Sequence, residues 1–146
     1  MLPYNGKVLI ATRYNGLFTY DGEKIEKYTC AADEFMKKNR VFCAALNHSL
    51  LAIGSVQDGV CLLNLEKNEI DVISISSGLQ NKTVLSMAFD TQENLWLGLD
   101  NGIDYIHLNS RISSLYGNKP VIGSGYTSYL YRDKLYLGTN QGLYYT

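Results

Sequence analysis

Proline is nearly absent, two residues in 146, and cysteine is scarce at three. Cys30, Cys43 and Cys61 are an odd number without CxxC spacing, which excludes a disulfide framework and a cysteine zinc site and leaves three buried or half-buried thiols as the expectation. Neither sign of charge dominates: thirteen basic residues face fourteen acidic ones, for a net charge of −1. No block of like charge could track a phosphate backbone or an anionic membrane surface, so nucleic acid and membrane are not expected as partners of this region. No stretch approaches the roughly 20 apolar residues needed to cross a bilayer. Met1-Leu2-Pro3-Tyr4 lacks the basic and apolar segments of an export signal, so any such signal of the parent protein is expected outside these residues.

What is abundant points to β-structure. Twelve tyrosines and thirteen glycines, with 46% hydrophobic residues, suit a globular fold of short strands and tight turns. Aromatic rings fit a pleated half-buried surface, and glycine permits positive φ.

A short phrase recurs four times: a hydrophobic strand ending in a small residue, a polar turn closing on glycine, and a second strand. The copies run Val8-Leu9-Ile10-Ala11 to Gly16-Leu17-Phe18, Leu51-Ala52-Ile53-Gly54 to Gly59-Val60-Cys61, Leu95-Trp96-Leu97-Gly98 to Gly102-Ile103-Asp104, and Leu135-Tyr136-Leu137-Gly138 to Gly142-Leu143-Tyr144. Their turn glycines lie 43, 43 and 40 residues apart. Three columns are always aliphatic, two of them two residues apart, which is period-two burial. Asn15-Gly16, Asp58-Gly59, Asn101-Gly102 and Gln141-Gly142 predict hairpins in which a residue tolerant of the left-handed region precedes glycine. Ala11, Gly54, Gly98 and Gly138 are expected to make room for a neighbouring backbone.

Further strand-like runs precede the hairpins (Val41 to Leu46, Val84 to Phe89, Tyr126 to Tyr131) and follow them (Ile25 to Tyr28, Ile70 to Ile75, Ile112 to Tyr116). Four short strands every 40 to 43 residues predict an all-β fold, a partial β-propeller of about three and a half four-stranded antiparallel blades. Blade 1 is expected as partial over 1–29 and without its leading strand, blade 2 over 40–76, blade 3 over 83–117, and blade 4 as partial over 124–146. The one helix-compatible stretch is Ala31 to Lys38. Open blades at both ends leave three arrangements: a piece of a larger propeller, a ring completed by a second copy of the chain, or a self-closed four-bladed ring.

Ser77-Gly78-Leu79-Gln80-Asn81 through Asp90, followed by Glu93-Asn94-Leu95-Trp96-Leu97-Gly98 and Asn101-Gly102-Ile103, closely resembles the two-component regulator propeller repeat. The other units match less fully, with Leu9, Ala52 and Tyr136 at the tryptophan position and an extra turn residue in units one and two. The resemblance implies a ligand-sensing module in the periplasmic part of an inner-membrane hybrid two-component histidine kinase, of the kind that detects oligosaccharides and switches on polysaccharide-utilisation genes. It implies no cofactor, and these residues carry no kinase, receiver or DNA-binding motif.

In a four-stranded blade the turn between strands two and three lies on the same face as the connection to the next blade. Arg13, Tyr14, Gln57, Asp58, Asp100, Asn101, Asn140 and Gln141 are therefore expected beside the connections that hold Asp33 to Arg40, Gln80-Asn81-Lys82 and Asn118-Lys119. Amides, carboxylates and tyrosines hydrogen-bond and stack on sugars. They are also what hairpin turns require, and the alternative function is a protein-interaction or structural propeller with no small ligand. Catalysis is not expected. His48 and His107 are isolated from other metal ligands, Gly123-Ser124-Gly125 is no nucleophile elbow, and Asp33 and Glu34 are adjacent instead of flanking a scissile bond. A propeller lyase or glycosidase would have to rely on loop carboxylates such as Asp33 or Asp100. Asn47-His48-Ser49 and Asn81-Lys82-Thr83 match glycosylation sequons, which arise often by chance.

Overall fold

The computed structural model describes residues 1–110 and 123–145. The chain divides into two compact parts, Met1–Ser114 and Leu115–Thr146. The described residues are all-β apart from one short α-helix and a single 3₁₀ turn at Ile75–Ser77.

In the larger part, strands β1 (Leu2–Tyr4), β2 (Lys7–Ala11), β3 (Leu17–Tyr20) and β4 (Ile25–Tyr28) form one antiparallel sheet in chain order. After helix α1 (Asp33–Asn39), strands β5 (Val41–Asn47), β6 (Leu50–Ser55), β7 (Val60–Asn64) and β8 (Glu69–Ile73) repeat the pattern. Strands β9 (Val84–Phe89), β10 (Leu95–Leu99) and β11 (Ile103–Ile106) repeat it again as a three-stranded sheet. The smaller part holds β12 (Gly125–Tyr131), β13 (Lys134–Thr139) and β14 (Gly142–Tyr145), likewise in chain order. The expected strand at Ile112 to Tyr116 lies outside the described residues.

The first repeat is more complete than its sequence indicates. Leu2–Tyr4 pairs with Lys7–Leu9 and supplies the leading strand that was expected to be missing. It is only three residues long and contains Pro3, which removes a ladder donor, so it carries almost no alternation to read. Its signal is the turn: Asn5 and Gly6 both take positive φ, 48° and 73°, the two-residue hairpin geometry that Asn-Gly favours. The turns between strands two and three are built differently. There only the glycines Gly16, Gly59, Gly102 and Gly142 have positive φ, and Asn15, Asp58, Asn101 and Gln141 do not. In three of the four turns a hydroxyl takes part: Thr12 and Ser55 donate to the carbonyls of Gly16 and Gly59 and accept the N–H of Asn15 and Asp58. Thr139 does the same with Gly142 and Gln141.

Sheets in the larger part stack face to face, and the repeat columns decide which face meets which neighbour. Leu9 and Leu17 of the first sheet meet Leu51, Ile53, Cys61 and Leu63 of the second in one buried cluster. The opposite face of the second sheet, Ala52, Val60 and Leu62, meets Val84, Leu95 and Leu97 of the third. Alternate residues of β6 and β7 thus point to opposite cores, and both faces of the second sheet are buried. Each fully buried leucine or isoleucine contributes about 2 kcal/mol.

Helix α1 closes one end of the first core with Phe35 and Met36. Asp33 and Glu34 in its first turn and Lys37 and Lys38 in its last suit the helix dipole, and Arg40 ends it at φ 55°. Cys30, Cys43 and Cys61 are free thiols, buried or half-buried as expected. Burial pushes Cys43 up to about 11 and Cys61 up to about 12. The small-residue column acts differently from expectation. A Cβ on Gly54 would meet the Cys43 side chain at 2.6 Å and one on Gly138 the Thr127 side chain at 2.7 Å, while one on Gly98 would run into Ser86. Room is made for side chains, those of the paired leading strand at all three glycines and at Gly54 also Met87 and Val84 of the next sheet, and no neighbouring backbone approaches Gly54 that closely.

Candidate functional site

The turns between strands two and three and the connections between sheets meet at one end of the sheets, and the backbone ties them together. Val41 N–H donates to the Arg13 carbonyl at 3.1 Å, so the turn of the first sheet is fixed to the start of the second. Val56 N–H donates to Arg40 at 3.1 Å, Gly59 N–H to Lys82 at 2.8 Å, and Asp100 N–H to Thr83 at 3.1 Å. The Thr83 hydroxyl adds a bond to the Val56 carbonyl at 2.9 Å. Of the predicted residues, Arg13, Tyr14, Asp58, Gln80, Asn81, Lys82, Asp100 and Asn101 therefore lie along one rim of the larger part. Asn140 and Gln141 hold the corresponding turn of the smaller part, where Asn140 Oδ1 accepts the Ser124 N–H at 2.9 Å. Asn118 and Lys119 lie outside the described residues.

The predicted residues differ in what they have left to offer a ligand. The side-chain amide of Gln80 donates to Asp104 Oδ1 at 2.6 Å and its backbone N–H to Asp104 Oδ2 at 2.9 Å, so it fastens the connection to β11. Asn81 Oδ1 accepts the Thr83 N–H at 2.9 Å and shapes a turn. Arg13 and Tyr14 are exposed, with the guanidinium 5.7 Å from the tyrosine ring centroid. Lys82, Asp100 and Asn101 are exposed as well.

Beside this rim an open depression of about 530 Å³ is lined by Met1, Ala11, Thr12, Arg13, Val41, Phe42, Cys43 and Ala44. Its lining mixes polar and apolar surface and includes both Arg13 and Phe42, an arrangement that offers an aromatic face and a cation to a ligand. Cys43 is a neutral thiol there at neutral pH, because burial raises it to about 11, and a neutral thiol is a poor nucleophile. Phe42, 55% exposed, is the lining residue that reading the sequence for polar turns overlooks. Among the described residues no three His, Cys, Asp or Glu side chains gather where they could hold a metal ion, and no helix is long and apolar enough to cross a membrane. His48 lies on the surface, 3.4 Å from Glu93, and His107 stacks on Tyr105.

No family model and no curated protein matches the chain. Solved structures do. The extracellular domain assigned to the hybrid two-component system BT3049 of B. thetaiotaomicron is 19% identical and covers 99% of this chain, with a TM-score of 0.60. Two structures of the extracellular domain of BT4673 from the same organism, described in one case as a hybrid two-component and in the other as a one-component system, are each 23% identical. They cover 98% and 94% of this chain with TM-scores of 0.56 and 0.53. The chain spans only 18% to 19% of the length of those structures. At such identity the likeness is one of fold.

Proposed function

We propose that this chain is part of a β-propeller, each sheet one blade, and that the propeller is the ligand-sensing region of a periplasmic, membrane-anchored two-component signalling protein. The observation that carries the reading is the stacking of the sheets. The second sheet buries equivalent residue columns against a sheet on either side, as a blade inside a ring does. The fold likeness to extracellular domains assigned to such systems supports the signalling role.

The open face of the first sheet favours more blades. Val8 and Ile10 occupy the columns that are buried as Leu51 and Ile53 in the second sheet and as Leu95 and Leu97 in the third. On that same face Tyr20 is 36% and Ile25 61% exposed, so it suits another sheet, from the parent chain or from a second copy. Ligand is taken at the rim where turns and connections meet, and oligosaccharide is the class that its exposed Asp100, Asn101 and Tyr14 and the exposed Phe42 ring suit. The test is a panel of neutral and acidic oligosaccharides titrated into the protein and followed by calorimetry and thermal shift. Saturable binding of one glycan class supports the reading, and no binding across the panel at millimolar concentration overturns its carbohydrate part.

A further inference from the structure

Three leading strands share one irregularity. Pairing skips from Val41↔Ser55 to Cys43↔Gly54 in β5, from Val84↔Leu99 to Ser86↔Gly98 in β9, and from Gly125↔Thr139 to Thr127↔Gly138 in β12. Each skip leaves one extra residue in a β-bulge: Phe42, Leu85 and Tyr126. All three are large and apolar, and they are 55%, 36% and 76% exposed. A bulge interrupts the ladder and re-aims a side chain. It is also built in, because the residue just past it, Cys43, Ser86 or Thr127, occupies the space opened by Gly54, Gly98 or Gly138. The glycine column and the bulge are thus one device, repeated, whose product is an exposed apolar side chain at the rim end of the leading strand.

At the second sheet this device meets a cation that has the Tyr14 ring 5.7 Å away but no carboxylate partner. Phe42 and Arg13 line the same depression. The ion pairs among the described residues are Lys24–Glu26, Lys37–Glu34 and His48–Glu93, and none involves Arg13. The carboxylate of Asp33, an acidic neighbour of that turn, lies against Gly16 and Cys30 instead. An arginine that lines a depression together with an exposed aromatic residue, and has no protein carboxylate as partner, matches a ligand that brings its own, since arginine binds carboxylate through two parallel hydrogen bonds.

Building on the oligosaccharide reading above, we infer that Phe42 and Arg13 form a subsite for an acidic, uronate-bearing oligosaccharide, with the sugar ring stacked on Phe42 and its carboxylate on Arg13. Calorimetric titration of the full chain with galacturonate and glucuronate trisaccharides, and with their neutral galactose and glucose counterparts, tests this. An acidic sugar is expected to bind about ten-fold tighter than its neutral counterpart. Arg13→Gln should abolish that preference, bringing the acidic sugar down to the affinity of its neutral counterpart. Phe42→Ala and Phe42→Leu should weaken both classes by about ten-fold, while Phe42→Tyr preserves them. Phe42 is exposed, so unchanged melting curves will separate lost binding from lost fold. A preference that survives Arg13→Gln, equal binding of acidic and neutral sugars, or wild-type affinity in Phe42→Ala overturns the subsite and leaves the oligosaccharide reading standing. Absence of binding by every sugar overturns both.

Discussion

Replacing Gly59 by alanine should destabilise the larger part far more than replacing Gly6, although the two glycines have nearly the same backbone conformation. Their φ angles are 68° and 73°, both left-handed, which costs an alanine about 1 kcal/mol at either position. At Gly6 a Cβ meets nothing within 4 Å. At Gly59 it would fall on the Ile73 carbonyl oxygen, with Leu79 Cδ1 at 2.9 Å and Ser74 Cα at 3.1 Å. Two of those three neighbours are backbone and cannot swing away, so overpacking adds about 2 kcal/mol. Moving the turn to relieve it stretches the 2.8 Å bond from Gly59 N–H to Lys82, worth about 1 kcal/mol more. The expected losses are about 1 kcal/mol for Gly6→Ala and about 4 kcal/mol for Gly59→Ala. Urea unfolding followed by fluorescence of Trp96, the only tryptophan and part of β10, reads the same part of the molecule in both variants. Equal losses would refute the packing of this turn against the connection, and with it the rim as a rigid platform.

Three further outcomes follow from the core and from the opposite end of the sheets. Leu63→Ala, at a fully buried position between the first and second sheets, should cost about 3 kcal/mol in the same assay, and a loss below about 1 kcal/mol would argue against face-to-face stacking. At Asp90 desolvation pushes the carboxyl up, but hydrogen bonds from the N–H groups of Asn94 and Gln92 and from the Trp96 indole outweigh it and hold the group below its ordinary 3.8. A depressed carboxyl contributes stability that is fully present above its unfolded value and is lost as pH falls through its folded one. Trp96 fluorescence should therefore stay flat from pH 7 to about 5 and change only below about 4, with Asp90→Asn removing that step. With Cys43 near 11 and Cys61 near 12, at most about one Cys43 thiol in a thousand is ionised at pH 8. Alkylation of these two should be slow in the native protein and fast in urea, and rapid native labelling would contradict their burial.

Most of the strand pattern was legible because burial on alternate residues is a local property, repeated four times at nearly constant spacing. The helix was legible too, since Phe35, Met36 and Asn39 recur at helical spacing among charges. Strand β1 was not, because three residues around a proline carry no periodicity, although Asn5-Gly6 marked the turn that makes it a strand. The bulges were invisible in any one repeat. Across repeats they leave a column, Phe42, Leu85 and Tyr126, each followed by a small polar or sulfur residue facing a glycine. For the site, sequence named turns that share one end of the sheets in the larger part, but could not say which of their side chains are occupied. Gln80 is engaged by Asp104, 24 residues further along, a pairing set by how the connection folds back on β11.

The most direct test of the account is a titration of isotope-labelled protein with a glycan that binds, read amide by amide by NMR. A ligand held at the rim predicts shifts clustered at residues 12–16, 40–44, 55–59, 80–86 and 99–102, with the turns at 5–6, 47–50 and 90–94 at the far end unmoved. Shifts concentrated at those far turns, or scattered without regard to the rim, would contradict it.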